Sequence, residues 1–262
     1  MNKTKFKKAI KTSATKIGQE FEEEVKDYEN LSFGIFAEKS LHRTLKNYID
    51  DDLSHQEVKL GKSIVDIFDG KKITEIQTRD FNSVRKKLPS LLKEYPVEIV
   101  FPVIKTKYLC WVDLETGEIS KKRLSNKHAS SCEILPHIYS IRNLLPSKNL
   151  SFRVVSLGAT EYRFLDGWSD DKKKGSHRAE LVPFEIYGET KIKTKSDYKK
   201  LLLEIGIDEK ANETGFTSKD FSKASKLSIA KARTSLLVLT KAGAVLRVGK
   251  KSNAILYNFN NK

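Results

Sequence analysis

Residues 63–77 read SIVDIFDGKKITEIQ, two short apolar runs separated by a polar turn. Runs rich in β-branched residues and bounded by Asp, Gly and Lys predict a β-hairpin. A four-residue connection from Asp69 to Lys72 would place Asp66 directly opposite Glu75. A two-residue turn would leave the two acids diagonal on one face, and an odd-length loop would send them to opposite faces.

Three polar side chains interrupt this apolar hairpin. Asp66 lies in the first strand, while Glu75 and Gln77 are two residues apart and project from one face of the second. Charged groups among apolar neighbours are costly unless a cation or a partner compensates them. Hard oxygen ligands with room for water suit Mg²⁺ or Mn²⁺, which can activate water and neutralise charge on a phosphate. The hairpin therefore predicts a divalent metal site.

The elements around the hairpin predict an α/β layer structure. Leu41, Leu45 and Tyr48 recur at helical spacing before it, and the helix is expected to end at the acidic residues 50–52. A second helix is expected over 81–95, where Pro89 should kink or restart it, with a further helix over 132–145. Three strands are expected over residues 97–104, 108–113 and 150–164, the first two as antiparallel neighbours.

With this order of elements, Asp66 followed by Glu75-Ile76-Gln77 resembles the PD-(D/E)XK nuclease superfamily over about residues 34–113. In that superfamily the aspartate and the first acid of the last triplet bind the metal, so the resemblance implies these roles for Asp66 and Glu75. Glu38 matches an acid that many members carry on the first helix. The resemblance implies a restriction-endonuclease-like mixed sheet flanked by helices, with Glu38, Asp66, Glu75 and Gln77 as the catalytic set.

Two positions depart from the superfamily pattern. Val65 stands where a proline is usual, and Gln77 stands where the catalytic lysine is usual, although some restriction enzymes of the superfamily are active with glutamine there. A glutamine can hold the attacking water but supplies no positive charge. Three cations are candidates for that charge: Lys39, Lys59 and Arg79.

The C-terminal residues carry a second pattern. Thr217 with Asp220 predicts a capped helix to about Ser225, and Ser228 predicts the cap of a second helix that Gly243 ends. Two strands, Ala244–Val248 and Ala254–Phe259, are expected to follow as a hairpin with a basic tip. This order is typical of a small winged helix-turn-helix domain and resembles many prokaryotic DNA-binding modules.

Charge favours DNA as the partner of this module. From residue 217 to the end there are ten Lys and Arg and one Asp, so about +9 of the net charge of +15 lies there. The residues expected to contact DNA, mainly at phosphates, are Lys231, Arg233, Thr234 and Lys241 on the second helix and Arg247, Lys250 and Lys251 on the wing. A lysine-rich surface kept soluble by charge is the alternative for the composition, and protein–protein binding is the alternative for the module.

Length and composition limit the remaining classes. The 262 residues predict three parts: an N-terminal tail and helix (1–30), a nuclease-like domain (31–200) and the winged helix (201–262). No apolar run approaches the ~18 residues of a membrane span, so we expect no membrane association. Cys110 and Cys132 are the only cysteines, which excludes a disulfide framework and favours a cytoplasmic location.

Together these patterns predict a Mg²⁺- or Mn²⁺-dependent DNA endonuclease. Cutting both strands would commonly require two protomers, so a homodimer is one expected assembly. The first rival is a catalytically inactive nuclease-like protein that binds DNA as a regulator or repair accessory, which Gln77 favours. The second is a scaffold whose winged helix binds protein.

Overall fold

The computed structural model describes residues 2–11, 36–113, 116, 118–126, 129–165, 177–208 and 214–261, with side chains from Ser40 onward in the helix that begins at Phe36. The helices in these residues are α1 (3–11), α2 (Phe36–Ile49), α3 (Asn82–Arg85), α4 (Leu88–Glu94), α5 (Leu135–Ile138), α6 (Lys195–Glu204), α7 (Ser218–Ser225) and α8 (Ile229–Lys241). Short 3₁₀ segments lie at Leu53–His55, Ser131–Ile134 and Tyr139–Leu144. The strands are β1 (Gln56–Leu60), β2 (Ser63–Phe68), β3 (Ile73–Ile76), β4 (Val97–Val112), β5 (Arg123–Leu124), β6 (Leu150–Phe164), β7 (Arg178–Ile192), β8 (Val245–Lys251) and β9 (Ala254–Phe259).

Strands β1 to β7 form one mixed sheet in the order β1-β2-β3-β4-β6-β7, with β5 paired to β4. Strands β2 and β3 are antiparallel, whereas β3 and β4 are parallel and are joined by helices α3 and α4. A parallel pair needs such a crossover because consecutive parallel strands begin at the same edge of the sheet. The predicted α/β class, a large mixed sheet flanked by helices, is confirmed.

Two compact units make up the chain. The first comprises Met1–Gln56, Ile104–Lys127 and Ser156–Gly188, and the second Glu57–Val103, His128–Val155 and Glu189–Lys262. In the second unit, residues of β2, β3 and β4 share one continuous core with residues of α6, α7, α8 and β8. The division into residues 1–30, 31–200 and 201–262 stays a prediction.

Local sequence signals predicted several element bounds correctly. Helix α2 ends at Ile49, directly before the acidic residues, and β6 covers 150–164 as expected. Thr217 and Asp220 form the reciprocal capping box of α7, and Ser228 caps α8 by accepting from the backbone N–H of Lys231. Such caps depend on residues within one turn, which is why the sequence predicts them well.

Two predictions about the middle of the chain were wrong, and one strand was missed. Residues 97–112 form one strand rather than two, because the connecting residues 105–107 include no Gly, Pro, Asn or Asp to form a turn. Strand β1 was not expected, since QEVKL has little apolar content. The helix expected over 132–145 is a 3₁₀, α and 3₁₀ succession, in which Pro136 lies at the start of α5. Most of the predicted N-terminal tail lies outside the described residues.

No helix in the described ranges has both the length and the apolar character needed to cross a bilayer.

Candidate active site

The hairpin of β2 and β3 has the four-residue connection that places the two acids opposite each other. Phe68 pairs with Ile73 and Ile67 with Thr74, and the same register continued by one position sets Asp66 opposite Glu75. The Asp69 carboxylate holds the turn by accepting from the backbone N–H groups of residues 71 and 72, at 2.9 and 2.7 Å. The alternatives with a two-residue turn or an odd-length loop are therefore not the ones observed.

Asp66 is fixed against strand β3 by its own carboxylate. Its Oδ2 accepts a hydrogen bond of 2.7 Å from the backbone N–H of Ile76. The N–H groups of Ile73 and Gln77 donate to backbone carbonyls at Pro96 and Val100 on the β4 side, so the intervening N–H of Ile76 faces β2. The carboxylate of Asp66 thus takes the place of a backbone acceptor and lies beside the segment that carries Glu75 and Gln77.

Glu75 is a buried carboxylate with a lysine beside it. Its exposed fraction is 1%, and Lys87 Nζ lies 2.8 Å from its Oε1. The same Nζ donates to the backbone carbonyl of Ile64 on β2 at 2.8 Å. Lys87 therefore connects both strands of the hairpin, and it brings positive charge to the carboxylate that the resemblance assigns to metal binding.

Gln77 also contacts the crossover segment. Its Oε1 accepts a hydrogen bond of 2.6 Å from the Ser83 hydroxyl of α3. Ser83 contacts Gln77, and Lys87, four residues later in the crossover, contacts Glu75. Gln77 and Glu75 are two residues apart and project from one face. The crossover thus supplies a hydroxyl and an ammonium to these two polar side chains. Since the hydroxyl engages Oε1, the NH₂ group of the amide is the part of Gln77 that can donate to a further ligand.

Lys87 is a site residue that the sequence interpretation missed. The buried apolar residues of this region include Val84, Leu88 and Leu91. Lys87 comes three residues after Val84 and four before Leu91, the spacing of residues that share one face of a helix. A lysine on the buried stripe of a helix was the available signal. Of the three cations proposed from the sequence, Lys59 and Arg79 are exposed; the side chain of Lys39 lies outside the described part.

The described side chains form no group of three or more His, Cys, Asp or Glu with a metal-binding arrangement. Asp66 and Glu75 supply two carboxylates. The side chain of Glu38 lies outside the described residues, although its backbone belongs to α2. Its assignment as a third acid stays a prediction.

A second buried carboxylate, Glu98 of β4, is compensated in a different way. In the parallel pair of β3 and β4, Glu98 lies beside Thr74, which is the residue before Glu75. Arg153 binds Glu98 at 2.7 and 3.2 Å and Lys72 binds it at 3.0 Å. Burial alone would raise the pKa of Glu98, but these hydrogen bonds and charges hold that pKa below its ordinary value. Arg153 also binds Glu189 at 3.4 Å, so two cations and two acids form a structural ion network here.

Helix α8 presents one buried and one exposed side. Ala232, Leu236 and Leu239 are buried, while Lys231, Arg233 and Lys241 are exposed. Thr234 is half-buried and its hydroxyl donates to the carbonyl of residue 230 at 3.1 Å. Lys231 lies at the edge of this surface, where its charge contributes, after burial, to lowering the pKa of His137. Three of the four helix residues expected to contact DNA are therefore accessible cations.

The C-terminal hairpin is longer than the sequence predicted. Strand β8 continues to Lys251, whose partner is Ala254, so the connection has only two residues, with Ser252 at φ 54°. The register shifts between Arg247 and Gly249. Arg247, Lys250 and Lys251 are all exposed, but they lie on the strand rather than in a loop. The hairpin keeps these three cations accessible.

Comparison with known proteins gives one relative of partial length. An uncharacterized protein of Treponema pallidum (strain Nichols) is 34% identical over 127 residues. These residues are 48% of this chain and 50% of the relative, so the chain spans about half the length of the curated relative it matches. No solved structure matches the chain.

The model of one protein family, described as a domain of unknown function (DUF8091), matches residues 39–193. This range includes Asp66, Glu75, Gln77 and Lys87 and ends before α6. It covers 155 of 262 residues, from 193 − 39 + 1, which is more than half of the sequence. The chain belongs to the DUF8091 family.

Proposed function

We propose that this protein is a metal-dependent DNA endonuclease with a restriction-endonuclease-like core and a winged-helix DNA-binding module. One observation carries the proposal: the Asp66 carboxylate binds the β3 backbone at Ile76, next to Glu75, and Lys87 reaches Glu75 from the crossover between β3 and β4. Asp66 and Glu75 lie on adjacent strands, and Lys87 lies on the crossover that follows. Two acids and a lysine are residue types suited to hydrolysis of a phosphodiester.

The donor set fits a hard divalent cation. Mg²⁺ in proteins is commonly held by one or two carboxylates, with water and substrate oxygens completing its shell, and Asp66 and Glu75 supply two carboxylates. When bound there, the ion would lower the pKa of a water molecule and neutralise charge on the phosphate.

The remaining side chains have separate roles in the proposal. Gln77 holds the attacking water through its NH₂ group, with the amide orientation set by the Ser83 hydroxyl. Lys87 supplies the positive charge that Gln77 lacks. The role of the superfamily's catalytic lysine is thus divided in this proposal, with Gln77 holding water and Lys87 providing charge. The ammonium of Lys87 would stabilise the phosphorane-like charge that develops during attack, an effect that depends on its fixed position between Glu75 and the Ile64 carbonyl.

In this proposal the C-terminal module binds DNA. Arg233 and Lys241 on α8 and Arg247, Lys250 and Lys251 on β8 are exposed cations, suited to phosphate contacts. Burial of the two free cysteines, Cys110 and Cys132, agrees with the proposed cytoplasmic location.

Cleavage of supercoiled plasmid tests the proposal. The full chain is incubated with DNA in Mg²⁺, in Mn²⁺ and in excess chelator, and nicked and linear products are measured. We expect metal-dependent cutting that Asp66→Asn and Glu75→Gln each abolish, while Glu94→Gln, an exposed acid of α4, cuts like the wild type. Metal-dependent cutting that survives both substitutions would place the chemistry elsewhere.

A DNA-binding protein without turnover is the second candidate, favoured by a specific observation. Lys87 already compensates Glu75 at 2.8 Å, so this carboxylate is paired without a metal. That candidate predicts salt-sensitive DNA binding, no cutting in either metal and equal binding by Glu75→Gln and the wild type.

A further inference from the structure

A row of apolar side chains crosses the sheet of the first unit and stays in contact with solvent. Phe184 of β7 is 37% exposed, and Tyr187 of the same strand is 38% exposed. The centroid of the Phe184 ring lies 5.8 Å from that of the half-buried Tyr108 on β4. Tyr108 pairs with Leu124 of β5, which is 58% exposed, so these two side chains share a face. We call these four residues the apolar row.

A glycine allows the two ends of the row to meet. Strand β6 lies between β4 and β7, so Tyr108 and Phe184 belong to strands that are roughly 10 Å apart. Gly158 of β6 has no side chain to separate them. A Cβ atom there would lie 2.5 Å from ring atoms of Phe184 and 2.6 Å from the hydroxyl oxygen of Tyr187. Gly158 is therefore what makes the row a continuous surface.

Packing within the protein does not account for this arrangement. Aromatic residues that serve a core are withdrawn from water, whereas Phe184 and Tyr187 keep more than a third of their surface exposed. Glycine inside a strand weakens the strand, and it often marks a place where a ligand approaches closely. Contiguous exposed apolar side chains on a sheet are typical of a binding surface.

The charges beside the row favour a polyanion as the ligand. Three exposed cations directly precede Leu124 in the chain: Lys121, Lys122 and Arg123. The acid next to Phe184, Glu185, is paired with Lys3 at 3.2 Å. Self-association through this face would bring the same cations of two copies together, so their charge disfavours a second copy as the occupant.

We propose that the apolar row and these three cations bind single-stranded nucleic acid. The bases of a single strand can turn their flat faces onto aromatic rings, whereas a duplex keeps those faces stacked within itself. The cations contact the phosphates between the stacked bases. The surface belongs to the first unit, and neither the β2–β3 hairpin nor the C-terminal module contributes a residue to it. The proposal therefore does not rest on the proposed cutting activity.

Fluorescence anisotropy tests the stacking surface. A labelled thymidine oligonucleotide, which cannot pair with itself, is titrated with the full chain in excess chelator. Phe184→Leu keeps Gly158 covered but removes the ring, and we expect at least about tenfold weaker binding. Phe184→Tyr keeps a ring and should stay within about threefold of the wild type. No binding by the wild type, or equal binding by the wild type and both variants, would overturn the proposal.

A matched control uses another exposed apolar residue of the first unit. Leu53 is 69% exposed, and Leu53→Ala should change the affinity for the single strand less than about twofold. A loss as large as that of Phe184→Leu would mean that the apolar row has no special role.

Salt dependence separates this surface from the C-terminal module. Replacing Lys121 and Lys122 by Gln should reduce the magnitude of the slope of log K against log salt for the single strand by about 1.4, since each phosphate contact contributes about 0.7. The slope for a duplex should be unchanged by these replacements and reduced by replacement of Lys250 and Lys251. An unchanged single-strand slope without Lys121 and Lys122 would contradict the apolar row as the site, whatever the duplex shows.

Photo-crosslinking locates the ligand without a variant. Iodouracil in the oligonucleotide reacts with aromatic side chains that stack on it, and mass spectrometry identifies the modified peptide. Cross-links to Tyr108, Phe184 or Tyr187 support the proposal, whereas cross-links confined to residues 217–262 contradict it. Sedimentation velocity tests the other occupant: a dimeric wild type and a monomeric Phe184→Leu with equal single-strand affinity would assign the face to a second copy.

Discussion

Lys87 belongs to the crossover that joins the parallel strands β3 and β4, and its Nζ lies 2.8 Å from Oε1 of Glu75 on β3. The lysine is 23% exposed and the glutamate 1%, so the pair is largely withdrawn from water. A buried pair of this kind contributes little net stability, but removal of one partner leaves an uncompensated charge. Its position therefore matters in two measurable ways, for folding and for the proposed chemistry.

Loss of the lysine should destabilise the fold. Lys87→Met leaves Glu75 buried without its ammonium, and we expect the free energy of unfolding to fall by about 3 kcal/mol. Denaturant unfolding measures the change, and Lys86→Met, an exposed neighbour, should stay within about 0.5 kcal/mol of the wild type. The double variant Glu75→Gln with Lys87→Met should recover much of the loss, because neither charge remains. Equal stability of Lys87→Met and Lys86→Met would show that the pair is not formed.

The same lysine should matter for cutting. In the proposed mechanism its charge acts on the phosphate in the transition state, so Lys87→Met should lower the single-turnover cleavage rate about 100-fold. The DNA dissociation constant should change little, since the ground state is bound mainly by the C-terminal module. Rates are compared at a temperature where both proteins are folded. A rate within threefold of the wild type would remove Lys87 from the mechanism.

Salt dependence tests DNA binding by the C-terminal module. Removal of one phosphate-binding cation should reduce the slope of log K against log salt by about 0.9. Replacing both Lys250 and Lys251 by Gln should therefore reduce the magnitude of the slope by about 1.8, measured by fluorescence anisotropy with a duplex. The matched control replaces Lys121 and Lys122. Equal changes in the two double variants would mean that net charge, rather than the wing, binds DNA.

Glu180 of β7 should make stability depend on pH. Burial is the main cause that raises its pKa to about 7, and the charge of Arg43 opposes the shift. The pKa of Glu180 in the folded protein lies above the ordinary value of 4.5, so its protonated carboxyl contributes to the stability of the fold. This stabilisation is fully present below about pH 4.5 and is lost as pH rises through about 7. Glu180→Gln should thus be more stable than the wild type at pH 8, by no more than about 3 kcal/mol, and the gain should vanish near pH 4.

Glu185→Gln is the control on the same strand, because the side chain of Glu185 is 44% exposed and pairs with Lys3. Chemical denaturation at several pH values should show no gain at pH 8 for this variant. A Glu180→Gln curve parallel to the wild-type curve from pH 4 to pH 8 would contradict the assigned pKa.

The sequence predicted what depends on neighbouring residues. The Asp69 turn set the hairpin register, and Thr217 and Ser228 defined the starts of the two C-terminal helices through hydrogen bonds within one turn. Contacts between distant segments were not accessible in this way. Lys87 meets Glu75 only because the crossover folds back over the hairpin, and the length of β4 depends on the strands that pair along it.

The buried carboxylate of Glu161 on β6, which pairs with Lys107, Arg163 and Arg178, shows the same limit. Lys107, Arg163 and Arg178 belong to three strands, and Lys107 is separated from Glu161 by 54 positions in the chain. Period-two alternation can place each side chain on a face, but without strand order and register it cannot bring them together.

Binding of Mn²⁺ by electron paramagnetic resonance tests most directly whether Asp66 and Glu75 share a divalent ion, independently of any cutting. Free Mn²⁺ is counted while the ion is titrated into the wild type, Asp66→Asn, Glu75→Gln and the control Glu94→Gln. We predict that the wild type and the control bind one more Mn²⁺ per chain than either site variant. The same number and affinity of bound ions in all four proteins would contradict a metal centre on this hairpin.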